Sequence, residues 1–188
     1  MSNANEILAL FEGKGGLIYD GEGITQLEHA WQCGQLARDA GASPALQLAS
    51  WLHDVGHLMN GLTGTPTLTG TDDVHENLGA AMLHAVWGIE VSEPVRLHVD
   101  AKRYLVATVP GYARKLSPDS VRSLALQGGP MKSLECDAFA SNPHAEDAKK
   151  LRTWDDIGKR PAWFCESTAA AMTELRALMA RVSSDHQN

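Results

Sequence analysis

The amino-acid sequence predicts an all-α fold, a bundle of helices in one domain. Apolar residues recur at intervals of three and four along most of the chain, as they do on the buried face of a helix. No segment combines sustained apolar and polar alternation with the β-branched content of a strand. The chain has 188 residues, of which 44% are hydrophobic. That is enough for one core and not for a second, so we expect a single domain over residues 1–188.

The first half of the chain carries clear helix boundaries. A glycine-rich loop over residues 13–23 separates a short first helix from a second helix expected over residues 24–40. Ser43 as N-cap and Pro44 at the first helical position begin a third helix. This third helix should run through the stretch WLHDVGH at residues 51–57.

The second half continues as helices separated by Gly- and Pro-rich breaks. After a loop at residues 60–70, Asp72 and Asp73 are expected to cap a fourth helix. A fifth helix is expected to begin at the sequence Ser-Glu-Pro of residues 92–94. A sixth helix is expected to begin at Ser117 and Pro118. Three more are expected over residues 131–139, 143–155 and 161–182.

Composition excludes several classes of partner. The formal net charge is -7, and the 16 Lys and Arg residues are scattered, so we expect no nucleic-acid surface. No apolar run is long enough to cross a membrane, and the N-terminus lacks the features of a signal peptide, which favours a cytoplasmic protein. The three cysteines are far apart and are expected to be small buried hydrophobic residues. The sequence leaves the oligomeric state open.

The adjacent residues His53 and Asp54 indicate a metal site. An ionised carboxylate on a buried helix is costly without a partner, and a bound metal would supply one. A hydrogen-bonded pair that holds two helices together is the simpler alternative for these two residues alone. The wider pattern favours the metal, because four histidines and two carboxylates lie on separate expected helices or their ends: His29, His53, Asp54, His75, His98 and Asp155. Two metals that share a bridging Asp need about that many ligands.

Five motifs carry a resemblance to a known family. They are QLEH at residues 26–29, HDVGH at 53–57, HVDAKRYL at 98–105, QGGPM at 127–131 and WD at 154–155. Their order resembles the HD-domain metalloproteins. More narrowly it resembles the hydroxyphosphonate oxygenases of the PhnZ and TmpB type, which are mixed-valent diiron enzymes related to myo-inositol oxygenase. The resemblance covers roughly residues 18–159 and implies an HD-domain helical bundle.

The resemblance implies a role for each matching position. Two iron ions (Fe2+ and Fe3+) are the implied cofactors, O2 the co-substrate, and Asp54 the bridging ligand. Tyr19 would occupy an iron position before substrate binds, and Glu22 would meet the amino end of the substrate. The implied iron ligands are His29, His53, Asp54, His75, His98 and Asp155, and the implied phosphonate contacts are His57, Lys102 and Ser120.

The implied reaction is oxidative cleavage of a carbon-phosphorus bond in a small organophosphonate. The substrate would be a 1-hydroxy-2-(trimethylammonio or amino)ethylphosphonate, and the products glycine betaine or glycine together with phosphate. We favour the trimethylammonio compound slightly, because Asp100 adds a carboxylate that suits a cation. The alternative is an HD-type phosphohydrolase that acts on a nucleotide or another phosphate ester through a metal-activated hydroxide. A non-catalytic binding module would require all six ligand candidates to be structural.

Overall fold

The structure is a computed structural model that describes residues 4–19, 22–60 and 66–185. In these ranges the chain forms ten α-helices, two 3-10 turns (Pro66–Thr69 and Tyr112–Lys115) and no strand, which confirms the all-α prediction. Parts of the loops expected at residues 13–23 and 60–70 lie outside the described ranges. In chain order the helices are α1 Ala4–Lys14, α2 Gln26–Asp39, α3 Pro44–Leu52, α4 Val55–Met59, α5 His75–Trp87, α6 Ile89–Thr108, α7 Pro118–Leu126, α8 Ser133–Ala140, α9 Ala145–Ile157 and α10 Thr168–Asp185.

Local capping explains where α2 and α3 begin. Thr25 and Glu28 form a capping box, in which the Thr25 hydroxyl accepts from the Glu28 amide at 3.2 Å and the Glu28 carboxylate accepts from the Thr25 amide at 2.6 Å. The Ser43 hydroxyl accepts from the Leu46 amide, and Pro44 occupies the first turn, as the sequence predicts. These caps fix where two helices begin: α2, which carries His29, and α3, which leads to His53.

The expected starts of α6 and α10 are wrong. Helix α6 begins at Ile89, because Gly88, with φ 73°, ends α5 and begins α6 without a loop between them. Ser92 is therefore not a cap but a buried helical residue, whose Oγ lies 3.2 Å from Nδ1 of His84. Helix α10 begins at Thr168 and not near residue 161.

Helix α6 is central to the bundle and packs against α3, α5, α8 and α9. Around it lies a core of aliphatic side chains that include Leu48, Leu52, Leu83 and Val95, each fully buried. Helix α6 itself carries His98 and Lys102, and its neighbours α5 and α9 carry His75 and Asp155. None of the described helices is long and apolar enough to cross a membrane.

The cysteines are buried only in part. All three are free thiols, and Cys33 is buried as expected, whereas Cys136 and Cys165 are half-buried. Cys136 lies within α8 and packs against the smaller core cluster, and Cys165 precedes α10 and packs against the main core.

Candidate metal centre and substrate pocket

Four histidines form the middle of the site, and each is oriented by a hydrogen bond from its Nδ1. The partners are carbonyl or carboxylate oxygens, which accept, so Nδ1 carries the hydrogen and Nε2 keeps its lone pair. The four contacts run from His29 to the Gly158 carbonyl at 2.8 Å, from His53 to the Ser50 carbonyl at 2.9 Å, from His75 to Asp73 Oδ1 at 2.9 Å and from His98 to the Val95 carbonyl at 2.6 Å.

The free Nε2 atoms of these histidines face one another in two pairs. Nε2 of His29 lies 3.3 Å from Nε2 of His53, and Nε2 of His75 lies 3.2 Å from Nε2 of His98. With the hydrogen on Nδ1, neither atom of a pair can donate to the other, so two lone pairs are directed at the same space. A cation between each pair would remove this repulsion, and neutral imidazole nitrogen is a common metal ligand.

Asp54 lies between the two histidine pairs. Its Oδ2 is 3.6 Å from Nε2 of His29 and 3.4 Å from Nε2 of His53. Its Oδ1 is 3.4 Å from Nε2 of His75 and 3.8 Å from Nε2 of His98. No described residue donates a hydrogen bond to Oδ2, although the residue is buried. Each oxygen of one carboxylate therefore faces a different pair, which is the geometry of a bridging ligand.

Asp155 completes the group around His29 and His53. Its Oδ1 is 3.5 Å from Nε2 of His29 and 3.9 Å from Nε2 of His53, and no described residue donates a hydrogen bond to it. Metal-ligand bonds of about 2.1 Å place neighbouring donor atoms roughly 3.0 to 3.5 Å apart. The observed separations between these nitrogen and oxygen atoms, 3.2 to 3.9 Å, are close to that range. The residues fit two metal ions, and their donor set suits a first-row transition metal.

The chain turns at His53 and Asp54, whereas the sequence predicts one continuous helix. Helix α3 ends at Leu52 and α4 begins at Val55, with Asp54 at φ -98° and ψ 10°. The turn accompanies a close approach of α4 to the start of α5, since a Cβ on Gly56 would lie 2.0 Å from the carbonyl oxygen of His75. Only glycine allows this contact, which holds His75 beside Asp54.

A pocket opens onto the site from the side of α6, α7 and α9. Tyr19 lines it and stacks on the His29 ring, with ring centroids 4.0 Å apart. His57 also lines it and stacks on His75 at 3.8 Å, with its Nε2 3.8 Å from Asp54 Oδ1. Tyr19 and His57 are thus both placed against ligand candidates, one against each histidine pair.

The wall of this pocket is basic and rich in hydroxyl groups. Lys102 lines it with only 2% of its surface exposed, and its ammonium donates to Oγ of Ser123 at 2.7 Å. Burial, together with the nearby Arg152 guanidinium, lowers the pKa of Lys102 to about 7. The hydroxyl of Ser120, on the first turn of α7, lies 3.4 Å from both Arg152 Nη2 and Lys159 Nζ. Such a wall can bind an oxyanion next to the metal centre.

Three proteins of known sequence are similar to this chain over most of its length. Hydroxymethylphosphonate dioxygenase of Gimesia maris is 41% identical over 154 residues, which is 81% of this chain and 76% of that protein. The glycine-betaine-forming [1-hydroxy-2-(trimethylamino)ethyl]phosphonate dioxygenase of Leisingera caerulea is 38% identical over 152 residues, 80% of this chain and 77% of that protein. The chain belongs to the phosphonate dioxygenase family. An uncharacterized protein of Acanthamoeba polyphaga mimivirus is 34% identical over 161 residues, 85% of this chain and 74% of that protein. No protein-family model matches the chain.

Asp73 of this phosphonate dioxygenase orients two histidines, a role that the sequence does not reveal. The expected cap at Asp72 and Asp73 is wrong, because the N-cap of α5 is Val74, with φ 47°, whose side chain makes no capping hydrogen bond. The Asp73 carboxylate instead accepts from Nδ1 of His75 at 2.9 Å and from Nδ1 of His57 at 2.6 Å. Burial opposes its ionisation, but these hydrogen bonds outweigh burial and hold the pKa of Asp73 well below its usual value.

Arg152 is a second residue of the site whose role the sequence does not reveal. It is buried on α9, and its Nη1 lies 2.7 Å from Asp155 Oδ2, on the side away from the histidines. Its other amino group contacts Asp156, which also accepts from the hydroxyl of Tyr112. Burial opposes the charge, but Asp155 and Asp156 outweigh it and keep the pKa of Arg152 well above its usual value. The only sequence signal is an Arg one helical turn before Asp155.

Asp100 and Glu22 do not line the dioxygenase pocket. Asp100 pairs with Arg103 at 3.0 Å and is not among the residues that line the pocket, so the structure gives its expected contact with substrate no support. The reason is helical geometry, since a residue two positions after His98 points to another face of α6. Glu22 lies close by, with Oε1 3.7 Å from Nζ of Lys159, and Lys159 itself lines the pocket.

Proposed function

We propose that the chain binds two iron ions and uses O2 to cleave the carbon-phosphorus bond of a 1-hydroxyphosphonate. One observation carries the proposal: the two oxygens of Asp54 face separate histidine pairs, next to a pocket with a buried lysine. The expected substrate is a 1-hydroxy-2-(trimethylammonio or amino)ethylphosphonate, which would yield glycine betaine or glycine and phosphate. Hydroxymethylphosphonate, the compound for which the relative from Gimesia maris is named, is a third candidate.

The ligands divide into two proposed sets that share Asp54. His29, His53 and Asp155 would hold one iron ion, and His75 and His98 the other. Tyr19, stacked on His29, would occupy a position on the first iron before substrate binds. When bound, a mixed-valent pair of irons (Fe2+ and Fe3+) supplies the one-electron chemistry that O2 requires. Arg152 holds the outer oxygen of Asp155, so that the inner oxygen points toward the first set.

The phosphonate group would bind at the basic wall, through Lys102, Ser120 and His57. A phosphonate carries the negative charge that favours the ammonium form of Lys102, whose pKa is about 7 in the free pocket. His57 donates from Nδ1 to Asp73, and this carboxylate would also stabilise a protonated ring that donates from Nε2 to a phosphonate oxygen. These contacts would hold C1 of the substrate beside the metal centre and exclude other orientations.

The reaction balances with O2 as the only co-substrate. The bond between C1 and phosphorus breaks, C1 is oxidised to a carboxylate, and O2 is reduced. Phosphorus leaves as phosphate, both oxygen atoms of O2 remain in the products, and one proton is released. Lys102 and Ser120, as the proposed phosphonate contacts, would stabilise the charge of the departing phosphate.

The substituent on C2 rests on a different observation from the bond that breaks. Asp100 gives no support to the trimethylammonio compound, because its carboxylate pairs with Arg103 outside the pocket. The relative from Leisingera caerulea is named for that compound, and the similarity of the chain to this relative is what favours the trimethylammonio substrate.

Anaerobic reconstitution with Fe(II), followed by limited O2, tests the proposal. We expect two iron ions per chain and O2 uptake that depends on a hydroxyphosphonate. Asp54→Ala should lose iron and activity together, since removing the bridge leaves two like charges close together. A single zinc ion per chain, or turnover of phosphate esters without O2 uptake, would instead support the phosphohydrolase alternative.

A further inference from the structure

Lys159 follows Gly158, the C-cap of α9, and lines the pocket at the end where Tyr19 and Asp155 lie. Its Nζ lies 3.7 Å from Glu22 Oε1, 3.8 Å from Asp155 Oδ1 and 3.4 Å from the Ser120 hydroxyl. It also lies 5.4 Å from the centroid of the Tyr19 ring. The side chain is only 10% exposed and lines the pocket. Its ammonium therefore faces any ligand that reaches this end.

Glu22 is the carboxylate at the same end, and it lies behind the lysine. Its side chain is 17% exposed, and Oε1 is buried without a hydrogen bond from any described residue. Among the described residues, Lys159 is the cation paired with it, and Glu22 is not a lining residue of the pocket. A carboxylate in this place would attract a cationic ligand group, but a neighbouring ammonium offsets that attraction.

We propose that Lys159 is a specificity-determining residue, which offsets the charge of Glu22 and thereby lowers the preference of the pocket for phosphonates with a cationic substituent. This inference rests on the proposed function, because it takes the pocket to be a phosphonate site. Lys159 thus sets the balance between substrates with an ammonium group, as in the trimethylammonio compound, and uncharged ones such as hydroxymethylphosphonate.

The effect is separable from any role of Lys159 at the phosphonate itself. Its ammonium also contacts Ser120, so a substitution is expected to weaken the binding of every phosphonate. A ratio of dissociation constants within one variant cancels that common loss. Selectivity is therefore defined as the dissociation constant of an uncharged phosphonate divided by that of a cationic phosphonate.

Calorimetric titration of the iron-loaded protein without O2 measures this ratio. The probes are ethylphosphonate, 2-aminoethylphosphonate and 2-(trimethylammonio)ethylphosphonate, which lack the C1 hydroxyl and so bind without being cleaved. Lys159→Met should raise selectivity for the two cationic probes at least about threefold, the scale of a weak ion pair. Lys159→Arg keeps the charge and should leave selectivity within about twofold of the wild type.

A second background shows whether Lys159 acts through Glu22. In Glu22→Gln protein, adding Lys159→Met should change selectivity by less than about twofold, because the carboxylate is already gone. Lys150→Met is the matched control, since Lys150 is an exposed α9 lysine paired with Asp147 outside the pocket. It should leave selectivity unchanged.

The outcomes separate the inference from the proposed function. Selectivity that does not change in Lys159→Met, or that rises equally in both backgrounds, would overturn the inference while phosphonate binding remains intact. A wild-type protein that binds none of the three phosphonates would overturn the proposed function, and the inference with it.

Discussion

Nδ1 of His75 donates to the carboxylate of Asp73 at 2.9 Å, and this contact decides which nitrogen of His75 faces the metal site. With Nδ1 engaged, Nε2 is directed at His98 and at Asp54 Oδ1. The other oxygen of Asp73 accepts from His57, so one carboxylate orients a proposed iron ligand and a proposed phosphonate contact together. The two proposed functions of the site, iron binding and phosphonate binding, thus depend on the same carboxylate.

Asp73→Asn should selectively weaken the binding of the second iron ion, the one proposed at His75 and His98. An amide can present its NH2 group to His75, which would leave the ring without the fixed orientation that a carboxylate gives. We expect about a ten- to hundredfold loss of affinity for the second iron, measured by anaerobic Fe(II) titration, with the first retained. Asp72→Asn, at an exposed neighbour, is the control. Equal affinities in the two variants would show that Asp73 has no orienting role.

Gly56→Ala should both destabilise the fold and displace His75. The new Cβ would lie 2.0 Å from the His75 carbonyl oxygen, and a backbone atom cannot move aside as a flexible side chain can. Overpacking of this kind costs about 1 to 3 kcal/mol of unfolding free energy, measured by chemical denaturation. The matched control is Gly13→Ala, where no atom lies within 4 Å and stability should be unchanged or higher by up to about 1 kcal/mol. Similar stability for both variants would contradict the close contact.

Lys102→Ala should reduce catalysis without loss of iron. Lys102 is a proposed phosphonate contact, and a charge-assisted contact contributes roughly 1.5 to 3 kcal/mol, or about ten- to a hundredfold in kcat/KM. Iron content and kcat/KM are measured on the same preparation, with Lys150→Ala as the exposed control. Loss of iron in Lys102→Ala, or unchanged kinetics, would remove Lys102 from the proposed phosphonate site.

The pH dependence of stability should show the lowered pKa of Lys102. An unfolded lysine titrates near 10.5, and the folded one near 7, so between these values the unfolded chain holds a proton that the folded chain lacks. The stability contributed at this site therefore rises with pH across this window. Relative to Lys102→Met, the unfolding free energy of the wild type should increase by up to about 1.4 kcal/mol per pH unit. A difference that stays constant from pH 7 to pH 10 would rule out the shift.

The sequence predicts those features that depend on local chemistry. Ser43 and Pro44 begin α3 as expected, because a cap and a fixed φ act within one turn. A motif order that resembles a known family predicts that four histidines lie together: His29, His53, His75 and His98. Their spacing along the chain does not reveal it.

What the sequence does not predict depends on partners that are distant along the chain. By local propensity Asp73 is a helix cap, yet its two carboxylate oxygens accept from the imidazoles of His57 and His75. The break at His53 and Asp54 accompanies the packing of α4 on α5, which no pattern within the third helix encodes.

Phosphate release from each candidate hydroxyphosphonate, measured with and without O2, tests the central claim most directly. The iron-loaded protein should release phosphate only when O2 is present, in a one-to-one ratio with the O2 consumed and with the matching carboxylate as the other product. Asp54→Ala should release none. Phosphate release that continues at the same rate without O2 would contradict oxidative cleavage at this site.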